Sequence, residues 1–299
     1  MNPGSLWAIT CYFNPVDYKS RLENYRVFRK HLAVPLVTVE LSLEPTFQLG
    51  SGDADILVPL HGRSLMWQKE RLLNIAVQHV PQNCDCIAWL DCDVVFEDDD
   101  WAGRARAALD QYPLLRLFNK RYDLSREESI DRPSASDEAQ EAFEGAARLQ
   151  EVRSPGLAWA ARRDLIARHG LYDACVVGSG DRAILYAALG QFDECARRLR
   201  MTGRRLQHYR SWAEPFFVAV QGRVGYLHGR LFHLWHGERM AREYKQRQRL
   251  LEDADFDPDR DIAIDASGCW CWSSEKGSLH ESVRRYLLSR QEDGRLSAV

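Results

Sequence analysis

Ile87-Ala88-Trp89-Leu90-Asp91-Cys92-Asp93-Val94-Val95-Phe96 is the stretch that decides the fold. Apolar residues dominate it and only Asp91 and Asp93 interrupt them, which predicts a buried strand at Ile87–Leu90 that ends on acids. Carboxylates set between apolar flanks are costly unless a cation or hydrogen-bond donors satisfy them. On an extended backbone, residues two apart point the same way, so both acids can converge on one hard cation such as Mg²⁺ or Mn²⁺. In open α/β sheets ligand sites lie beyond the carboxyl ends of the strands, where this pair stands. The plain alternative is a solvated turn, which is how the following Glu97–Asp100 reads.

Outward from that strand, apolar periodicities alternate. A strand at Leu6–Phe13 breaks at Asn14-Pro15 and leads to a helix whose Tyr18, Leu22, Tyr25, Phe28 and Leu32 make one apolar face. Asp17 stands where a helix N-cap or first-turn acid is favoured. Strands are predicted at Leu36–Leu41, Asp55–Leu60 and Leu114–Phe118, and helices at Trp67–Val80 and Trp101–Tyr112. This alternation is the pattern of a mainly parallel sheet covered on both faces. Asn119–Ser154, dense in charge, reads as an exposed excursion, helical near Ala139–Gln150. Beyond it come helices near Arg162–His169 and Asp181–Leu189, a strand at Val224–Leu227 and a charged helix from about Arg239 to Leu251. No repeat and no Pro-, Gly- or Ser-rich linker divides the chain. One domain over residues 1–265 is expected, with 266–299 as a C-terminal extension packed on it.

The bulk numbers set outer limits. A chain of 299 residues, 45% hydrophobic and 28% charged, can bury a substantial core. A net charge of -3 excludes polyanion binding by bulk electrostatics and leaves only local basic patches. No apolar run approaches the ~20 residues of a membrane span. The start of the chain lacks the charged n-region of a signal peptide, and eight cysteines without secretory features read as reduced thiols. A cytoplasmic protein is expected.

Leu90-Asp91-Cys92-Asp93 after a hydrophobic strand resembles the DxD motif of the GT-A glycosyltransferase superfamily. The resemblance spans roughly residues 6 to 250. It implies a GT-A-like fold, with a mixed, mainly parallel sheet flanked by helices. It also implies transfer of a sugar, favouring a UDP-sugar as donor, with Mn²⁺ or Mg²⁺ held against the diphosphate. Tyr12, Asn14 and Glu40 then become contacts to the nucleotide. Lys69 and Arg71, on a helix with Asn74, approach the pyrophosphate beside Asp91. Leu231-Phe232-His233-Leu234-Trp235-His236-Gly237 supplies the histidine that such enzymes add to the cation. His236 is preferred because Gly237 permits a close approach, with His233 as the alternative. The metal set is thus Asp91, Asp93 and His236. Arg239 and Arg242 could face phosphate oxygens or form a solvated face with Arg247, which is the better reading for Arg247.

Val176-Val177-Gly178-Ser179-Gly180-Asp181 puts an acid after a flexible turn and before a helix. By itself Asp181 reads as an N-cap or as a general base. Gly156-Leu157-Ala158-Trp159-Ala160-Ala161 and the following Arg162-Arg163-Asp164-Leu165 resemble the acceptor side of galactosyltransferase-like members. That likeness favours the base and inversion at the sugar; retention is the open alternative, in which Asp181 loses that role and the donor phosphate acts as base. A nucleotidyltransferase and a non-catalytic nucleotide-sugar-binding protein are the rivals.

Other signals are set aside. Cys-x-Cys pairs at 84/86 and 269/271 are poor zinc knuckles. Six arginines between 197 and 210, interleaved with His208 and Tyr209, could track nucleic acid but read better as a solvated face. A DNA base remains an acceptor option by analogy alone, and the acceptor is otherwise unknown. No Walker loop, GxGxxG or GxSxG is present.

Overall fold

The computed structural model describes residues 5–130, 141–142, 155–237 and 246–294. The first half alternates as expected. Strand β1 (Ser5–Phe13), helix α1 (Lys19–Lys30), β2 (Leu36–Ser42), β3 (Ile56–His61), α2 (Lys69–His79) and β4 (Cys84–Leu90) build one edge. Next come β5 (Val94–Phe96), α3 (Trp101–Leu109), β6 (Leu114–Arg116), β7 (Lys120–Asp123) and the short β8 (Glu141–Ala142). Strand β9 (Ala158–Arg162) runs into α4 (Arg163–His169), and α5 (Gly180–Ala188), α6 (Phe192–Leu199) and α7 (Gly203–Val220) follow as a helical layer. The remainder is β10 (Val224–Tyr226), β11 (Arg230–His233), α8 (Arg247–Asp253), α9 (Pro258–Asp261), β12 (Ile262–Ile264), β13 (Trp270–Trp272) and α10 (Gly277–Leu288).

Seven strands form the main sheet in the order β10-β6-β9-β4-β1-β2-β3. All neighbours run parallel except β9, which is antiparallel to both β4 and β6. Small side chains let β9 slot between two strands: Ala158, Ala160 and Ala161 are wholly buried. Its register sets Ala158 beside Leu90, so the residues entering β9 lie against the acids leaving β4. The central strands β1, β2 and β4 are buried almost throughout, as a sheet covered on both faces requires. One side is packed by α2, whose Leu72, Leu73, Ile75 and Ala76 join the larger core with β1 and β2.

A second sheet, β5-β11-β7-β8, sits beyond the carboxyl end of β4. The hairpin β12–β13 joins residues on either side of position 265. The segment from Arg290 to Gly294 returns to α1, where Arg21 makes a bidentate ion pair with Glu292, and Asp293 accepts the Lys19 and Ser20 amides. Among the described residues no helix is long and apolar enough to cross a membrane. All eight cysteines are free thiols.

Four expectations are corrected or fall largely outside the described residues. Asp17 is not a cap of α1: Tyr18 holds that position, and Asp17, at φ 60°, accepts from Gln48 in the loop between β2 and β3. Asn119–Asp123 is not part of an exposed excursion, because Asn119 and Arg121 are each 3% exposed and Lys120–Asp123 is a strand. The helix near Ala139–Gln150 falls mainly outside the described residues, of which Glu141–Ala142 is a strand paired with β7. Arg247 is not on a solvated face, being 8% exposed.

Candidate active site

Register builds the first half of the site. In the second sheet β11 lies between β5 and β7, which sets His233 opposite Val94 on one side and Asp123 on the other. His233 therefore meets Asp93, one residue before β5. His233 Nε2 lies 3.7 Å from Asp93 Oδ1, and His236 Nε2 lies 3.2 Å from Asp93 Oδ2. The two imidazoles meet edge to face at 4.5 Å, and one ligand atom from each of the three residues falls within 4.8 Å of the others. His233 turns its other nitrogen to Asp123, with Nδ1 2.9 Å from Oδ1. Arg121 Nε lies 3.1 Å from the same oxygen and holds that carboxylate in place. A carboxylate behind an imidazole fixes the tautomer that leaves the outward nitrogen as a lone-pair donor. One carboxylate and two imidazoles fit a first-row divalent cation, Mn²⁺ better than Mg²⁺, which prefers oxygen alone.

The second half lies at the mouth of β4. Lys69, at the start of α2, extends between two acids, with Nζ 2.5 Å from Asp91 Oδ1 and 2.7 Å from Asp181 Oδ2. Burial opposes the ammonium charge, but Asp181 and Asp91 outweigh it and hold Lys69 well above the usual range. Burial raises Asp181, against the pull of Lys69. Glu70, beneath them and 2% exposed, is pushed up to about 8 by burial and then by Asp181. Ser179 is the cap residue of α5, so Asp181 falls in the first turn, where the helix dipole also favours a carboxylate.

The backbone closes in around these groups. Leu157 donates its amide to Asp91 Oδ2 at 3.1 Å and accepts the Asp91 amide at 2.7 Å. A Cβ on Gly156 would stand 2.8 Å from Asp181 Oδ2, and one on Gly180 would stand 2.1 Å from the Glu70 carboxyl carbon. A side chain at either position would have to displace the facing carboxylate. Leu157 and Ser179 both sit at φ 83°, a conformation costing about 1–3 kcal/mol for residues with side chains. Arg247 steadies the second of them by donating to Ser179 Oγ at 2.7 Å and to Tyr286 Oη at 2.9 Å.

A cavity of 1170 Å³ joins both halves, lined among others by Lys69, Asp91, Asp93, Asp181, His233 and His236. The structure thus brings together Asp93 and His236 as one cluster and Lys69, Asp91 and Asp181 as another. Asp91 turns to Lys69 and Leu157, and His233 joins Asp93. Tyr12, Asn14, Glu40 and Arg71 are not among the residues lining this cavity. Tyr12 and Asn14 share Gln48 Oε1, at 2.5 and 3.0 Å, and so pin the loop before residue 50. Glu40, 2% exposed, accepts the amides of Gln48 and Leu49. Arg71 donates to Gly268 O and faces Asp173. Arg239 and Arg242 lie outside the described residues. Sequence reasoning missed Asp123, Glu70 and Arg247. Only alternation at Arg121-Tyr122-Asp123 could have suggested the first.

One reversed strand inside an otherwise parallel seven-stranded run, with a small sheet past the carboxyl edge, is the mixed architecture expected. The fold is a mixed, mainly parallel seven-stranded sheet flanked by helices. No protein-family model and no curated protein sequence matches the chain. In fold it is similar to glucosyl-3-phosphoglycerate synthase from Mycobacterium tuberculosis, solved with Mn²⁺, UDP-glucose and phosphoglyceric acid. That likeness has 11% identity and a TM-score of 0.43, covering 84% of this chain and 78% of that one. Drosophila β1,4-galactosyltransferase 7, solved with xylobiose, is similar at 14% identity and a TM-score of 0.33, over 64% of this chain and 62% of that one. So is 4-diphosphocytidyl-2C-methyl-D-erythritol synthase from Anaerococcus prevotii, at 11% identity and a TM-score of 0.36, over 76% and 88%. Glycosyltransferases and nucleotidyltransferases thus both stand among the similar structures.

Proposed function

We propose that this GT-A-like chain is a metal-dependent glycosyltransferase. It would move a sugar from a nucleotide-diphosphate donor, by preference a UDP-sugar, to an acceptor hydroxyl with inversion. The observation that carries this is a cluster of three side chains able to hold a metal ion (Asp93, His233 and His236) that shares one cavity with the Lys69–Asp91–Asp181 set. A cation bound there would neutralise the diphosphate as it leaves the sugar. Asp91, held rigid by Lys69 and the Leu157 amide, would receive donor hydroxyls. Asp181, kept above the ordinary carboxylate range by burial, would take the proton of the acceptor hydroxyl. The acceptor oxygen then bonds to the anomeric carbon as the bond from that carbon to phosphate oxygen breaks.

The test is thermal stabilisation by UDP, GDP, CMP and dTDP, each with and without Mn²⁺. The expected result is a shift with one diphosphate that needs Mn²⁺ and disappears in Asp93→Ala. No shift with any nucleotide in a folded sample would overturn the proposal. Release of pyrophosphate from a nucleoside triphosphate, without turnover of a nucleotide sugar, would mark a nucleotidyltransferase instead.

A further inference from the structure

A segment from the far end of the chain reaches the cavity. Arg290, Glu292 and Gly294 line it beside His236 and Gly237. Gly237, at φ 87°, faces this segment closely: a Cβ there would stand 2.6 Å from Gln291 O and 2.8 Å from Glu292 Cα. The close approach that Gly237 permits is therefore made by backbone of residues 291–292. On the other side of His236, a Cβ on Gly294 would stand 3.2 Å from Trp235 Cη2. Both chain neighbours of His236 are thus packed against residues 291–294. His233 needs no such support, because β11 is paired on both sides and Asp123 meets its Nδ1. His236 lies beyond the end of β11, so strand register does not fix it.

Helix α1 anchors this segment. Arg21 holds the buried Glu292 through two nitrogens, Nε at 2.8 Å and Nη2 at 2.6 Å, and its Nη1 donates to Phe13 O at 2.6 Å. Arg290 Nε lies 3.2 Å from the same carboxylate. The first turn of a helix leaves amides unsatisfied, and no side chain caps α1 from its own N-terminus. Asp293 takes that place from 274 residues on, accepting the Lys19 and Ser20 amides at 3.0 and 2.9 Å. Ser20 Oγ donates to Glu292 O at 3.1 Å, and the Gln291 amide donates to Tyr18 Oη at 3.0 Å. One turn beyond Arg21, Asn24 donates to Trp235 O at 2.8 Å, so the same helix holds the histidine segment directly. A buried ion pair is a costly way merely to end a chain, since both charges must leave water.

We infer that residues 290–294 form a C-terminal strap that positions His236 for cation binding, with Glu292 as the positioning residue that ties the strap to α1 through Arg21. Glu292 acts through the backbone, by fixing the strap against Gly237 and so the imidazole one residue earlier. The inference rests on the proposed cation at Asp93, His233 and His236, and not on the transfer of a sugar. Coupling between two sites is reciprocal. A strap that tightens the cation is therefore itself steadied, by the same factor, when the cation binds.

Mn²⁺ titration of the full chain, followed by electron paramagnetic resonance, tests the strap. Glu292→Ala should bind Mn²⁺ about 10–100-fold more weakly than wild type, and the near-isosteric Glu292→Gln should fall between. Melting temperatures with chelator present report the fold alone. A strap that only stabilises the fold lowers them and leaves Mn²⁺ affinity unchanged. Hydrogen exchange over residues 288–294 gives the reciprocal readout without any strap variant: Mn²⁺ should slow it in wild type and not in His236→Ala. Wild-type Mn²⁺ affinity in both Glu292 variants, or exchange at 288–294 that ignores Mn²⁺, would overturn the strap's role and leave the metal cluster standing. Absence of Mn²⁺ binding in wild type would overturn the cluster and this inference with it. Weakened Mn²⁺ binding in the variants, without any response to nucleotides, would support the strap and overturn the glycosyltransferase reading.

Discussion

Replacing Asp123 with asparagine keeps the shape of the Asp93–His233–His236 cluster and removes one charge from behind it. The carboxylate lies 2.9 Å from His233 Nδ1, while Nε2 of the same ring points to Asp93. An anionic acceptor puts the imidazole proton on Nδ1, whereas asparagine can turn its amide and donate, favouring the tautomer with a protonated Nε2. Partners of this kind contribute about 10–100-fold to metal affinity, or about 1.4–2.7 kcal/mol. At a Mn²⁺ concentration 100 times the wild-type Kd, the cation stabilises the fold by about 2.7 kcal/mol. A 10-fold weaker variant keeps about 1.4 kcal/mol of that, and a 100-fold weaker one about 0.4 kcal/mol. Arg121 also loses its ion pair, a cost read separately as the change in melting temperature with chelator present. Manganese titration followed by electron paramagnetic resonance gives the affinities directly. Asp123→Asn should weaken binding 10–100-fold and His236→Ala should weaken it further. Wild-type affinity in Asp123→Asn, alongside lost binding in Asp93→Asn, would show that packing and not Asp123 orients His233.

Three further outcomes follow from the acids. Asp181→Asn should lower kcat by about 10²–10⁴ with UDP·Mn²⁺ affinity kept within a few-fold, the signature of a lost base; an equal loss of nucleotide binding would refute that role. Because burial raises Asp181, its ionised form is lost as pH falls through a value above the ordinary 3.8, so the acid limb of kcat should lie above that pH in the wild type and vanish in the variant. Glu70, at about 8 when folded against 4.5 otherwise, contributes stability below pH 4.5 that is lost as pH rises through about 8. Urea unfolding at pH 6 and 9 should show the wild type losing about 2–3 kcal/mol more than Glu70→Gln, and parallel losses would refute the assignment.

What the sequence displays is local, and the site is made by register. The buried strand ending at Leu90, just before Asp91, was legible because its apolar run has no other stable place than inside a sheet. The alternation of strands and helices was legible for the same reason, and so were Lys69, Asp91, Asp93, Asp181 and His236 as chemically capable residues. Which of them meet was not. Asp91 and Asp93 were expected to share a cation, yet β9 delivers Leu157 and Gly156 to one acid while β11 delivers two imidazoles to the other. A chain reversal some 66 residues away, and a β11 strand more than 130 residues away, decide the direction each carboxylate takes. Charge misled in a related manner. Composition gauges how well a segment is solvated, so Asn119–Asp123 and Arg247 read as surface; pairing with Asp123, and hydrogen bonds to Ser179 and Tyr286, let them be buried. The same blindness explains Glu40, Tyr12 and Asn14. Each has the chemistry to hold a nucleotide, and each is occupied in holding the chain around Gln48. A polar residue near a strand end serves either a ligand or a loop, and only the partner's position, set by distant pairing, tells which.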